Sequence, residues 1–275
     1  MDVHPAQDVK DLLRHLDRYE VGLRKKQRAD VLRIELWLPA AFAWALATSP
    51  SVRRRLRSEL NSRCIGVWAL NAYSYGDMPR GGSGVHSPDW TDPRRELYTR
   101  NCAVVLSDLL SDDAPHGCVS TLPLAKHTRW SALHDVLAEV AIENVTKALT
   151  ELERPVRLVF SPESGCVLGT VTSAVAWLAH RVDPAHVGLC VDLDHVTDPT
   201  GDVAVVLNSE TGLLQIRLSA AAEDRLVAIS QALSEETQIV VDTFSSVVMA
   251  TTLDGLNEDA ATCLRRIAEV VGARG

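Results

Sequence analysis

The sequence predicts a single α/β domain folded as a (β/α)8 TIM barrel, and three observations predict it. Short strand-like runs alternate with longer amphipathic segments along nearly all 275 residues, the pattern of repeated βα units. Seven such runs can be placed, one short of the eight that close a barrel. The stretch GLCVDLDH, residues 188–195, has the two unlike faces of a barrel strand. Side chains alternate along a strand, so Gly188, Cys190 and Asp192 share one face, and Leu189, Val191 and Leu193 the other. The branched face suits a covering of helices and the narrow face an axis. Asp192 then stands at the carboxyl end, where such barrels carry their chemistry.

Taken in order, the missing first strand belongs before the first helix, where only MDVHP is found. The chain is expected to open at the tail of that strand, as a stub or because the assigned start is too late. A gap in the wall leaves strand edges to be covered by a short strand or by an oligomer contact, such as that of a homodimer. A helix over 6–27 leads to strand VLRIELWL (31–38), a helix over 40–61 and strand CIGVWALNA (64–72). The segment 76–92, GDMPRGGSGVHSPDWTD, is the one extended loop. No helix opens directly behind its glycines, so it is not a phosphate cradle and is expected to act as a mobile lid over the barrel mouth. Then come a helix over 93–111, strand GCVSTLPL (117–124) and a helix over 131–152. In that helix Leu133, Val136, Leu137, Val140, Ala141, Val145 and Leu149 recur at threes and fours, predicting one apolar stripe. Strand VRLVFSP (156–162), helix 170–181, strands VGLCVDL (187–193) and GLLQIRLS (212–219), helix 221–235, strand QIVVDTF (238–244) and a terminal helix over 257–272 complete the series.

Composition excludes several classes of function. Thirty-six acidic residues against 28 Lys and Arg leave a net charge of -8, which repels phosphate backbones and argues against nucleic acid as a partner. The VRRRLR cluster at 52–57 lies at helical spacing without interleaved aromatics and reads as a solvated helix face. The six cysteines are scattered, without CxxC spacing, and read as reduced, buried thiols. No basic-then-apolar leader opens the chain and no apolar run reaches the roughly 18 residues of a membrane span, so a cytoplasmic protein is expected.

The same face logic gathers a candidate site at the carboxyl ends of the strands. Strand 31–38 contributes Glu35 and Trp37, with Arg33 below them, and strand 64–72 contributes Asn71, with Tyr75 just beyond. Strand 156–162 contributes Ser161, with Glu163 just beyond, and strand 187–193 contributes Asp192, with His195 in the loop that follows. Gln215 and Arg217 lie on the next strand and Asp242 on the last. Carboxylates crowded in a low-dielectric mouth raise one another's pKa unless a cation or proton lies between them, and such crowding is usually functional. Asp192, Asp242 and Glu163 are therefore the candidate catalytic acids and bases, with His195 as orienter or proton relay. Asn71, Tyr75, Gln215, Arg217 and Glu35 are candidates to bind substrate oxygens, and Trp37 to form an apolar wall.

Seven short blocks in a fixed order carry a resemblance: VHP at 3–5, NAYSYG at 71–76, PDW at 88–90, YT at 98–99, STLPL at 120–124, PESGC at 162–166 and GLCVDLDH. They resemble EboE-type metabolite-traffic proteins, within the xylose-isomerase-like barrels that also include sugar epimerases and apurinic endonuclease IV. The resemblance implies a specialised-metabolite pathway, isomerase-like ancestry and a divalent metal held by Glu, Asp, His and Glu from strands five to eight. The matching positions here are Ser161, Asp192, Gln215 and Asp242. A serine is a poor ligand beside a carboxylate, and an amide lacks the imidazole's affinity, so a tightly held metal is not expected even though His195 and Glu163 compensate in part. The expected activity is acid/base chemistry on a small polar metabolite, by isomerisation or epimerisation, or by metal-free elimination or cyclisation. The competing expectation is a non-catalytic protein that binds and delivers a pathway intermediate, with its acids paired to Arg33 or Arg217.

Overall fold

Seven parallel strands lie side by side in sequence order: β1 (Leu32–Trp37), β2 (Ile65–Asn71), β3 (Gly117–Thr121), β4 (Val156–Phe160), β5 (Val187–Asp192), β6 (Gly212–Ser219) and β7 (Gln238–Asp242). They belong to a computed structural model that describes residues 8–27, 30–76, 85–219, 222–234 and 237–242. Each occupies a run expected to be a strand: β6 matches 212–219 end to end, β1 to β5 are trimmed by one to three residues at an end, and β7 is described as far as Asp242. Among the described residues eight α-helices lie between or before the strands: α1 (Val9–Gln27), α2 (Ala40–Ala47), α3 (Pro50–Ser62), α4 (Pro93–Leu109), α5 (Ala132–Thr150), α6 (Val171–Leu178), α7 (Pro199–Leu207) and α8 (Glu223–Ile229). The result is a nearly closed (β/α) barrel, as the sequence predicts. The expected first strand and the terminal helix lie outside the described residues.

Cross-barrel contacts show that the sheet is rolled. At the lower end of β7, Gln238 Nε2 donates to the His116 carbonyl at 3.0 Å and to the Trp68 carbonyl of β2 at 3.4 Å. Above it Ala69, Cys118, Val159, Cys190 and Leu214, one each from β2 to β6, pack together on the axis. The helix-facing side of the same strands joins a much larger apolar core that includes Leu189, Val191 and Leu193. Gly188 is small for a reason: a Cβ there would lie 2.4 Å from the Gly212 carbonyl and 2.7 Å from Leu214 Cγ. That close approach accompanies the irregularity by which Gly188 pairs with Gly212 but Cys190 with Gln215.

Four expectations are corrected. The helix expected over 40–61 is two, because Pro50 has no N–H to continue α2 and disfavours helix at the residue before it, whereas Pro is well placed to begin α3. The connection between β5 and β6, where the sequence pattern places no helix, carries α7, capped by Asp198, whose carboxylate accepts from the Gly201 amide at 3.0 Å. Only Val203 and Val206 of α7 are fully buried, too few to announce a periodic stripe. In α5 the inward face is Ala138, Ala141, Ile142, Val145 and Leu149, while Leu133, Val136, Leu137 and Val140 are exposed. The VRRRLR cluster is not wholly solvated either. Arg53 is buried and donates to Asp108 and to the Leu46 and Ala47 carbonyls, so a charge serves the C-terminus of α2.

Residues 77–84 of the expected lid lie outside the described residues, but its trailing part is anchored. Trp90 is fully buried against Phe160, with ring centroids 5.5 Å apart, and its amide donates to the Leu124 carbonyl. Cys64, Cys102, Cys118, Cys166 and Cys190 are all free thiols. No helix among the described residues is long and apolar enough to cross a membrane.

Candidate active site at the barrel mouth

Three separate strands meet at one ion pair. Glu35 of β1 and Arg217 of β6 face each other, with Arg217 Nη2 at 2.9 and 2.7 Å from the two Glu35 oxygens, and Ser120 of β3 donates to the same carboxylate at 3.1 Å. Both charged side chains are shielded, Arg217 at 13% and Glu35 at 5% exposure, so neither could be buried without the other. Arg33, also expected inside, instead leaves the barrel to pair with Asp113 on the surface at 2.7 Å.

Beside the ion pair stands Asp192, in register with Arg217. Its carboxylate lies 2.9 Å from His195 Nδ1 and also accepts from the Asp194 amide at 3.0 Å. The DxxH spacing places both in one tight turn after β5, where the His195 and Val196 amides return to the Asp192 carbonyl. The hydrogen bond and charge of Asp192 raise the His195 pKa; Asp194 and Glu163 add to this and partial burial opposes it. With Nδ1 held by the acid, the ring is oriented with Nε2 on its far edge.

Glu163 forms the second charged focus, from the turn after β4. One oxygen accepts from the Tyr73 hydroxyl and lies 3.1 Å from His86 Nε2; the other lies 3.1 Å from Lys126 Nζ. Burial raises the Glu163 pKa, an effect opposed by His195, so the two foci feel each other across the mouth. Burial lowers the His86 pKa, helped by the charges of Lys126 and Arg95. Tyr73, His86 and Lys126 were not anticipated from sequence; the NAYSYG block held Tyr73, but the charge that recruits it lies 90 residues away.

A buried arginine braces this focus. Arg95 of α4 is fully buried and donates to the carbonyls of Ala72 at 2.5 Å and Pro88 at 2.9 Å. Those carbonyls adjoin Tyr73 and lie two residues from His86, so one guanidinium ties together both segments that reach Glu163. Desolvation lowers its pKa to about 10.

The remaining candidates differ in depth. Gln215 is fully buried, and neither amide atom has a hydrogen-bond partner among the described residues. Trp37 is buried and donates to the Ser74 carbonyl at 2.9 Å, and Asn71 caps its own turn by accepting from the Tyr73 amide at 2.9 Å. Tyr75 packs edge-on against Tyr98, with centroids 5.3 Å apart. Asp242 ends β7 opposite Ser219, and its side chain lies outside the described residues. Asp192, His195, Glu163, Glu35 and Arg217 thus line one rim, with Gln215 below.

Among the described side chains of the Ser161, Asp192, Gln215, Asp242 set, a hydroxyl, one carboxylate and an amide make a poor site for a divalent metal. Ser161 contacts the buried Cys190 thiol, whose pKa burial raises to about 12, and a guanidinium already occupies the neighbourhood of Asp192. A different group of donors, His86, Glu163 and Cys166, has the composition of a metal site, with ligand atoms within 4.8 Å of one another.

No family model and no curated protein matches the chain. Solved structures do. A protein from Anabaena variabilis assigned by inference as a sugar phosphate isomerase/epimerase is 13% identical, covering 96% of this chain and 95% of its own, with a TM-score of 0.65. A xylose isomerase-like TIM barrel protein from Mycobacterium smegmatis, in complex with magnesium, is 12% identical over 96% of this chain and 89% of its own, with a TM-score of 0.62. An L-ribulose 3-epimerase is 14% identical over 98% and 91%, with a TM-score of 0.60. The chain is thus similar in fold, over almost its whole length, to xylose isomerase-like TIM barrels that include sugar epimerases and isomerases.

Proposed function

We propose that the protein is an isomerase- or epimerase-like enzyme that moves a proton on a small polyhydroxylated metabolite bound at the barrel mouth. The observation that carries this reading is the Asp192–His195 pair, a charge-oriented imidazole facing Glu163 across a rim built from separate strands. Asp192 fixes the Nδ1–H tautomer and stabilises the imidazolium, so that His195 Nε2 takes a proton from the carbon beside a carbonyl and returns it. The Glu163 cluster, with the Tyr73 hydroxyl and the Lys126 ammonium, holds the oxygen on which charge develops. Arg217 and Glu35 receive substrate hydroxyls, and Asp242 is assigned as a second acid from β7. A specialised-metabolite pathway of the kind served by EboE-type proteins is the proposed setting.

The test is proton exchange from deuterated water into a panel of ketoses, aldoses, cyclitols and their phosphates, followed by NMR. Exchange is expected with at least one of them. Asp192→Asn is expected to slow it by about 100-fold or more while ligand affinity persists; unchanged turnover in that variant would overturn the assignment.

One observation favours a second reading, a binding and delivery protein without turnover. The Glu35–Arg217 pair leaves the deepest charges of the mouth already neutralised by each other, as a recognition pocket would have them. Tight binding of a panel member with no exchange in the wild type would select this reading.

A further inference from the structure

We infer that the cluster of His86, Glu163 and Cys166 is a zinc site, separate from the ligand positions that the xylose-isomerase-like resemblance implies. Imidazole nitrogen, carboxylate oxygen and thiol sulfur all lie within 4.8 Å of one another, so each needs only a small movement to reach a shared ion. The donor set decides the metal. A thiolate and an imidazole together suit a borderline-soft cation, and disfavour magnesium or calcium, which want oxygen.

The backbone holds these donors in place. Glu163 and Cys166 come from one turn, closed by the Cys166 amide on the Glu163 carbonyl at 3.1 Å and the Glu163 amide on the Leu168 carbonyl at 3.0 Å. Gly165, at φ +80°, supplies the left-handed residue that lets the turn present both side chains to one side. His86 comes from the anchored segment whose Pro88 carbonyl is gripped by Arg95 and whose Trp90 is fully buried. His86 and Glu163 are partly exposed, the carboxylate the more so, and the thiol is buried, which gives an ion a way in past Glu163. Lys126 binds the Glu163 oxygen that faces away from His86 and also contacts the Cys166 thiol, while the nearer oxygen, which accepts from the Tyr73 hydroxyl, keeps a second lone pair for a metal. Three protein donors leave a fourth position for water or a substrate oxygen, the arrangement of catalytic zinc.

The inference rests on the geometry of the cluster and extends the reaction proposed above, at the focus assigned to the substrate oxygen. Its test is independent of turnover. The full-length protein, stripped of metal under reducing conditions, is titrated with cobalt(II). One equivalent is expected to give tetrahedral visible bands and an ultraviolet thiolate-to-cobalt charge-transfer band, both erased by zinc. Cys166→Ser is expected to abolish the charge-transfer band, and His86→Ala to weaken zinc binding at least about 100-fold, beyond the loss typical of residues that only orient a ligand. Thermal melts of the metal-free variants show whether they fold; for one that does not, Glu163→Gln with the same titration takes its place. Absence of the band in the wild type overturns the site, as does an identical band in Cys166→Ser, which assigns the thiolate to another cysteine. Either failure leaves the proton-exchange assay of Asp192→Asn to be judged by itself.

Discussion

Asp192 acts on His195 through both a hydrogen bond and a charge, so its removal has a signed effect. An NMR titration of His195 is expected to give a midpoint above the ordinary imidazole value in the wild type, and a lower one in Asp192→Asn. Because the raised value belongs to the folded state, the pair contributes stability fully below the ordinary imidazole pKa and loses it as pH rises through the raised one. A rate that needs the neutral ring should climb with pH through that same raised value. The Glu35–Arg217 pair makes a second prediction. Glu35→Ala leaves a shielded guanidinium without its partner and is expected to cost about 3–5 kcal/mol in urea denaturation, whereas Glu35→Met combined with Arg217→Met should recover most of it. Sequence reasoning could reach Asp192, Arg217 and Glu35 because each lies on a strand whose period is fixed. It could not reach His86 or Lys126, which sit in irregular segments where no period says which way a side chain points.

At the scale of elements, the strands were legible and the helices less so. A strand in a barrel is buried on both sides and reads as a branched run bounded by turns, so all seven runs were found. Helices in the outer ring bury only part of their surface, and apolar residues on the rest mislead: Leu137 of α5 repeats with Val145 at helical spacing, yet it is 44% exposed. Leu137→Glu is therefore expected to shift the melting temperature little, while Val145→Glu, at a fully buried position, should unfold the protein or nearly so. The short helix α7 depends on its cap, and Asp198→Ala is expected to cost about 1 kcal/mol in a denaturant titration. Gly188→Ala tests the close approach of β5 to β6. The added methyl meets a backbone carbonyl that cannot rotate away, and a loss of roughly 1–3 kcal/mol should appear in the same titration.

For the molecule as a whole, the sequence carried the architecture because closure is a collective property of repeated units, and errors in single helices do not alter it. The chemistry was less legible, since it depends on which loops lean together over the rim. The lower end of the cylinder has a consequence of its own. Gln238 reaches across to the Trp68 and His116 carbonyls beneath an axis already filled by Ala69, Cys118, Val159, Cys190 and Leu214. Among the described residues these side chains plug that end of the cylinder, so a solute seated beside Glu35 and Arg217 would find no passage through the floor.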